Sequence, residues 1–177
     1  MAIINVHGKS FETYLSDETI QQRVKELAAD INKDYSGKKP LFIAILNGSF
    51  MFASDLFKQL TIEAELCFIK LASYKGMKSS GKVVTSIGLE EDIFDKDVII
   101  VEDIVDTGKT LHRFLPKLIH QQPKSLKIVT LLHKAEATEY PLVLDYVGFS
   151  IPNKFVVGYG LDYDGLGRNL REIFQLV

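Results

Sequence analysis

Apolar and polar positions alternate along the chain with two periods. Over residues 16–36, Ile20, Val24, Leu27, Ala28 and Ile31 recur at helical spacing on one face. Ser16 suits an N-cap there, Asp17 and Glu18 suit the first turn, and Gly37 suits the stop. "PLFIAIL" (40–46) is instead continuously apolar, as a parallel strand buried on both faces requires. "NGS" follows, then a helical "FMFASDLFKQL". "IEAELCFIKLASY" (62–74) reads as a strand running into "KGMKSSGK" (75–82), which has the composition of a loop. "VVTSIGL", "DVIIVED", "SLKIVTLLHK", "VLDYVGFSI" and "KFVVGYGLDY" are further strand candidates. A helix is expected from about Lys109 to Gln121, stopped before Pro123.

Strands alternating with helices predict an α/β fold with a mainly parallel sheet. Ligands of such sheets bind beyond the carboxyl ends of the strands. Three buried runs end in polar clusters: "NGS" after Leu46, "EDIVDTGKT" after Val101 and "HK" after Leu132. All three are expected at one crevice. At 177 residues, with no repeat or linker, the chain reads as one domain.

Composition narrows the partners. A net charge of -2 gives no reason to expect nucleic acid, and no apolar run approaches a membrane span. One cysteine, Cys67 in "ELCFIKL", excludes a disulfide framework and reads as a core thiol. The start "MAIINVHGKSFETYL" lacks the basic and apolar regions of a secretory signal, so a cytoplasmic protein is expected. His7, His112, His120 and His133 show no metal-ligand spacing.

The chemistry concentrates in "VIIVEDIVDTGKTL" (98–111), a strand, a tight turn and a helix start that also carry Glu102, Asp103 and Asp106. "GKT" fits the end of a Walker A loop, but Asp occupies position 103 where its leading Gly belongs, and the three-glycine dinucleotide fingerprint is absent. Anions lining an anion cradle make sense if one ligand carries a phosphate and a sugar diol. Amides of the 106–110 turn and the hydroxyls of Thr107 and Thr110 can hold the phosphate. Glu102 and Asp103, one step earlier, can accept hydrogen bonds from adjacent ribose hydroxyls, leaving Asp106 at the rim.

That stretch resembles the phosphoribosyl-pyrophosphate (PRPP) motif of the phosphoribosyltransferases. "LNGS", "LASY", "LLHK" and "PNKFVVGYGLDY", with Arg168 shortly after, narrow the resemblance to the hypoxanthine-guanine phosphoribosyltransferase family. The resemblance implies a type I phosphoribosyltransferase fold: a mainly parallel sheet core flanked by helices, with a small hood subdomain formed from the chain ends of a single domain, 1–177. It implies purine salvage, the transfer of 5-phosphoribosyl from PRPP to hypoxanthine or guanine, with xanthine left open. The products are the nucleoside 5'-monophosphate (IMP or GMP) and pyrophosphate.

Residue roles follow from the same resemblance. Glu102 and Asp103 meet the ribose, and Asp106, Thr107, Gly108, Lys109 and Thr110 the 5-phosphate, with Asp106 also the proton acceptor for the purine. Asn47, Gly48, Ser49 and Arg168 receive pyrophosphate; Lys134, Lys154, Phe155, Val156 and Asp162 form the purine pocket; Ser73 and Tyr74 open a mobile lid. Magnesium is implied, near Asp162, Glu102 and Asp103, as is a homodimer or homotetramer. The family often carries a basic residue where this chain has Asn47, and a non-proline cis peptide where it has Leu46–Asn47. A PRPP-sensing nucleic-acid regulator would need a basic surface and an eroded purine segment, and this chain has neither. Lys134 and the Phe155 segment disfavour a pyrimidine or adenine transferase.

Overall fold

The computed structural model describes residues 2–73 and 83–177. Strands β1 (Ile3–Val6) and β2 (Lys9–Leu15) open the chain and lead into helix α1 (Asp17–Asp34). Next come β3 (Leu41–Leu46), α2 (Phe50–Lys58), β4 (Glu65–Ser73), β5 (Val83–Ile87) and β6 (Asp97–Val105). Helix α3 (Lys109–Ile119), β7 (Ser125–His133), β8 (Tyr146–Ser150), β9 (Val156–Val157) and β10 (Ile173–Leu176) complete it.

Among the described residues the main sheet runs β5-β4-β3-β6-β7-β8. Its last five strands are mutually parallel, and β5 is an antiparallel edge. The apolar runs are continuous because both faces are covered. Phe42, Ala44, Ile99 and Val101 enter the core shared with α1 and α2, while Leu41, Ile43, Val98 and Ile100 enter the core shared with α3. Helix α1 starts at Ser16, whose side chain accepts the Thr19 amide at 3.3 Å, and buries the five apolar residues expected.

Three expectations need correction. Helix α3 ends at Ile119 rather than Gln121, because Gln121 and Gln122 donate to carbonyls three residues back and tighten the last turn. Strand β6 runs on to Val105, so Glu102 and Asp103 lie inside the strand rather than at its end. "KFVVGYGLDY" supplies only β9, since Gly158, Tyr159 and Gly160 all take positive φ (107°, 48° and 96°) and turn the chain out of the strand.

Beside the main sheet lies a four-stranded antiparallel sheet, β1-β2-β10-β9, built from both chain ends. Its small core is Val6, Phe11, Val157 and Phe174. None of β1, β2 and β10 was expected from pattern. The β1–β2 hairpin turns at His7 and Gly8, with φ of 51° and 74°, which suits the primed two-residue turns that match strand twist.

Candidate functional site

The crevice exists because β6 outruns one neighbour. Its pairing with β3 stops at Ala44–Val101, while its pairing with β7 continues to Val105–His133. From Glu102 onward one side of β6 therefore opens into a cavity of about 250 Å³, lined by Ile45, Leu71 and the stretch from Glu102 to Leu111. Glu102 is buried, and burial together with the adjacent Asp103 carboxylate pushes its carboxyl well above the usual range. Its Oε1 accepts the Asp103 amide at 3.2 Å, and Asp103 Oδ1 accepts the Ile104 amide at 2.8 Å. Asp103 Oδ2 rests against Gly48, where any Cβ would overlap it. The "NGS" and "EDIVDTGKT" clusters thus touch.

Gly108, at φ 79°, is the N-cap of α3 and offers no side chain to cap it. The Lys109 amide donates to Thr107 Oγ1 at 3.3 Å, and the first turn of α3 lines the cavity. The turn is braced from beneath by a segment that pattern reading did not single out. Glu139 and Tyr140 amides both donate to the Thr107 carbonyl, at 3.0 and 3.1 Å. Thr138 Oγ1 lies 3.0 Å from the Asp106 carbonyl and 3.1 Å from that of Lys134. These are long-range contacts without a periodic signal. The only trace is Gly108 itself, where a side chain would press on Tyr140 and Leu142.

A second cavity, about 290 Å³, adjoins the first and shares Asp103, Ile104 and Asp106 with it; its other walls are Lys134, Phe155, Val156, Leu161, Asp162 and Arg168. Lys134 is buried, and its Nζ stands 3.2 Å from Asp106 Oδ2, whose side chain is half exposed. Phe155 is 45% exposed, with Tyr163 edge-on at 5.4 Å behind it, and Val156 is fixed by pairing to Gln175. Arg168 Nη2 meets Asp162 Oδ1 at 2.6 Å, and Arg168 Nη1 donates to the Gly160 carbonyl at 2.6 Å. Asp162 Oδ2 also accepts the Gly165 amide at 2.7 Å.

The other expected residues are placed less centrally. Leu46–Asn47 is a cis peptide, Asn47 is exposed and Gly48 buried. Ser49 is fully buried, and its hydroxyl donates to the Ile45 carbonyl at 2.6 Å, closing the turn inward. Lys154 is exposed and lines neither cavity. Ser73 ends β4, whereas Tyr74 and residues 75–82 lie outside the described residues. Cys67 is buried, and its thiol is pushed up to about 12 by burial first and then by Glu91, as befits an inert core thiol.

Known proteins resemble this chain along most of its length. The phosphoribosyl transferase domain family model matches residues 10–164. A hypoxanthine phosphoribosyltransferase of Buchnera aphidicola subsp. Schizaphis graminum is 46% identical over 171 residues, covering 95% of this chain and 97% of its own. A hypoxanthine-guanine phosphoribosyltransferase of Aquifex aeolicus is 40% identical and covers 97% of each chain. Among solved structures, a hypoxanthine-guanine phosphoribosyltransferase from Bacillus anthracis, with a HEPES molecule in its active site, superposes with a TM-score of 0.89. It is 41% identical and covers 94% of this chain and 98% of its own.

Proposed function

This chain belongs to the phosphoribosyltransferase family, and we propose that its two adjoining cavities hold the two substrates of one transfer. It is an enzyme of purine salvage that moves 5-phosphoribosyl from PRPP to a 6-oxopurine, releasing pyrophosphate. In this reading the first cavity takes the ribose 5-phosphate: the α3 N-terminus and the hydroxyls of Thr107 and Thr110 hold the phosphate, and Glu102 and Asp103 accept from the ribose hydroxyls. The second takes the base, stacked on Phe155 with its 6-oxo group at Lys134. Asn47, Gly48 and Arg168 receive pyrophosphate.

The observation that carries this reading is the Asp106–Lys134 contact, 3.2 Å, at the seam between the cavities. It sets a proton acceptor and a carbonyl-seeking ammonium side by side where base and sugar meet. As the C1'–oxygen bond to pyrophosphate breaks and the bond from C1' to the purine nitrogen forms, positive charge spreads over the sugar. Asp106 takes the proton that the imidazole ring must lose.

Glu102, Asp103 and Asp162 suit a magnesium ion that arrives on its substrate, because such an ion needs only one or two protein carboxylates besides phosphate. The described residues contain no group of three or more metal-ligating side chains, so a pre-built cage is not what this site offers. When bound, magnesium supplies charge neutralisation of the departing oxygens. Cytoplasmic location and assembly as a homodimer or homotetramer belong to the same proposal. No described helix is long and apolar enough to cross a membrane.

The test is one assay with PRPP, magnesium and each of hypoxanthine, guanine, xanthine and adenine, reading nucleotide formed. An ammonium has three donors and no acceptor, so adenine's 6-amino group would set donor against donor at the buried Lys134. Sites built on such a partner reject the mismatch by about 10,000-fold. Hypoxanthine and guanine should therefore react and adenine should not. Efficient use of adenine would overturn the role of Lys134.

A further inference from the structure

Tyr159 takes no part in the chemistry above, yet it is almost completely buried, 1% exposed, between two glycines of the segment that leads to Asp162 and Arg168. Its hydroxyl donates to Asp55 Oδ2 at 2.7 Å, and Gln21 Nε2 donates to the same oxygen at 2.9 Å. Lys58 holds Asp55 Oδ1 at 2.6 Å. Burial and the Asp55 carboxylate raise the Tyr159 hydroxyl well above the ordinary phenol range, so it remains a donor. Asp55 sits in the middle of α2, and α2 begins directly after Asn47–Ser49. The phenol therefore ties the 158–168 segment to the helix that carries the pyrophosphate loop.

What the tie holds together is visible in the neighbouring backbone. Gly160 lies so close to Gly48 that a Cβ at 160 would overlap the Gly48 carbonyl oxygen. Gly48 in turn leaves no room for a Cβ beside the Asp103 carboxylate. Arg168 closes over the same point, donating to the Gly160 carbonyl at 2.6 Å and receiving the Gly160 amide on its own carbonyl at 3.0 Å. The base-stacking residues are fastened differently. Val156 pairs with Gln175, and the Leu176 amide donates to the Phe155 carbonyl at 3.0 Å, so β10 fixes them without Tyr159.

We infer that Tyr159 and Asp55 are a positioning pair for the pyrophosphate subsite: they hold Gly160 against Gly48 and Arg168 over both, and leave the stacking wall of the purine subsite, Phe155 and Val156, to β10. The inference rests on the assignment of Asn47, Gly48 and Arg168 to pyrophosphate. It deepens that assignment by separating the supports of the two substrates. A misplacement of about 1 Å at a reacting group is enough to cost on the order of a hundredfold. A slackened tie should cost less.

The experiment compares Tyr159→Phe with wild type in both directions of the reaction. KM for PRPP forward, and for pyrophosphate in reverse, should rise by about tenfold, while KM for hypoxanthine stays within about twofold. Asp55→Ala, at a partly exposed position, should reproduce the split even if Tyr159→Phe folds poorly. Asp55→Asn, which keeps an acceptor oxygen, should recover most of it. The double variant Tyr159→Phe/Asp55→Ala should be no worse than either single one, the signature of a shared contact. Tyr146→Phe, on β8, removes a buried hydroxyl that donates to Asp34 Oδ2 at 2.6 Å and controls for losing such a bond away from both subsites. If Tyr159→Phe lowers the melting temperature as Tyr146→Phe does but leaves the KM ratio alone, or raises all KM values together, the pair has no positioning role. If Arg168→Ala leaves pyrophosphate KM unchanged in wild-type background, the subsite assignment itself fails and takes the inference with it.

Discussion

At the residue scale, the site is a matter of which oxygen faces which cavity. Asp106 stands on both, and its half-exposed carboxylate beside Lys134 is free to meet a substrate proton. Asp106→Asn keeps shape and hydrogen bonding but removes the acceptor, so turnover should fall by roughly 100- to 10,000-fold with PRPP affinity nearly unchanged. A fall below about fivefold in steady-state kinetics would make Asp106 a mere loop residue. Gly48 makes a different point. A methyl there meets the end of a short side chain, Asp103, which can swing aside, so Gly48→Ala should fold but turn that carboxylate off the ribose it is proposed to bind. KM for PRPP should rise on the order of tenfold, with thermal stability within about 1 kcal/mol of wild type. The carboxylates and the turn that follows them were legible in sequence because they succeed one another along one strand and loop. The Gly48–Asp103 contact was not, because it joins residues 55 positions apart and neither carries a periodic signal.

At the element scale, strand ends and helix starts decide what can bind. β6 becomes available at Glu102 only because β3 stops pairing at Val101, and α3 presents amides only because its N-cap has no side chain. The apolar runs foretold β3, β6 and β7, and the amphipathic spacing foretold α1, since burial on two faces or on one stripe dictates those patterns. The hairpin and β10 escaped notice because β1 and β10 have only four residues each and β2 is only partly buried, so alternation is weak. Gly108→Ala tests the helix start. At φ 79° any side chain is strained, and a Cβ would also stand 3.0 Å from Leu142 and 3.1 Å from the Tyr140 carbonyl. A cost of about 1–3 kcal/mol is expected from the strain alone. With the 5-phosphate at this turn, as proposed above, PRPP and IMP affinity should drop together while binding of free hypoxanthine persists. Equal loss of all three by calorimetry would mean that α3 supports the whole crevice rather than the phosphate.

At the scale of the whole molecule, the parallel sheet was readable from alternation of strands and helices, but the second sheet was not, because it unites chain ends more than 150 residues apart. That architecture exacts a stability penalty at the crevice. Glu102 sits buried beside Asp103, and both burial and that neighbour raise its carboxyl above the ordinary range. The folded protein therefore binds this proton more tightly than the unfolded chain does. The stabilisation it brings is complete below the ordinary glutamate value, near about 4.3, and is lost as pH rises through the raised folded value. At neutral pH, above the ordinary glutamate value, the ligand-free protein has lost stabilisation that it holds in acid. Glu102→Gln removes that loss while keeping the shape, so it should stabilise the ligand-free protein by about 0.5–2 kcal/mol. For a chain of this size that is about 2–4 °C per kcal/mol in melting temperature. The advantage over wild type should grow as pH rises through the window and then level off. Saturating PRPP and magnesium should reverse the ranking, because the substituted amide answers a ribose hydroxyl and a cation less well than a carboxylate does. A Glu102→Gln protein that is less stable than wild type at neutral pH without ligand would show that the buried carboxylate is a structural support and not a group held ready for substrate.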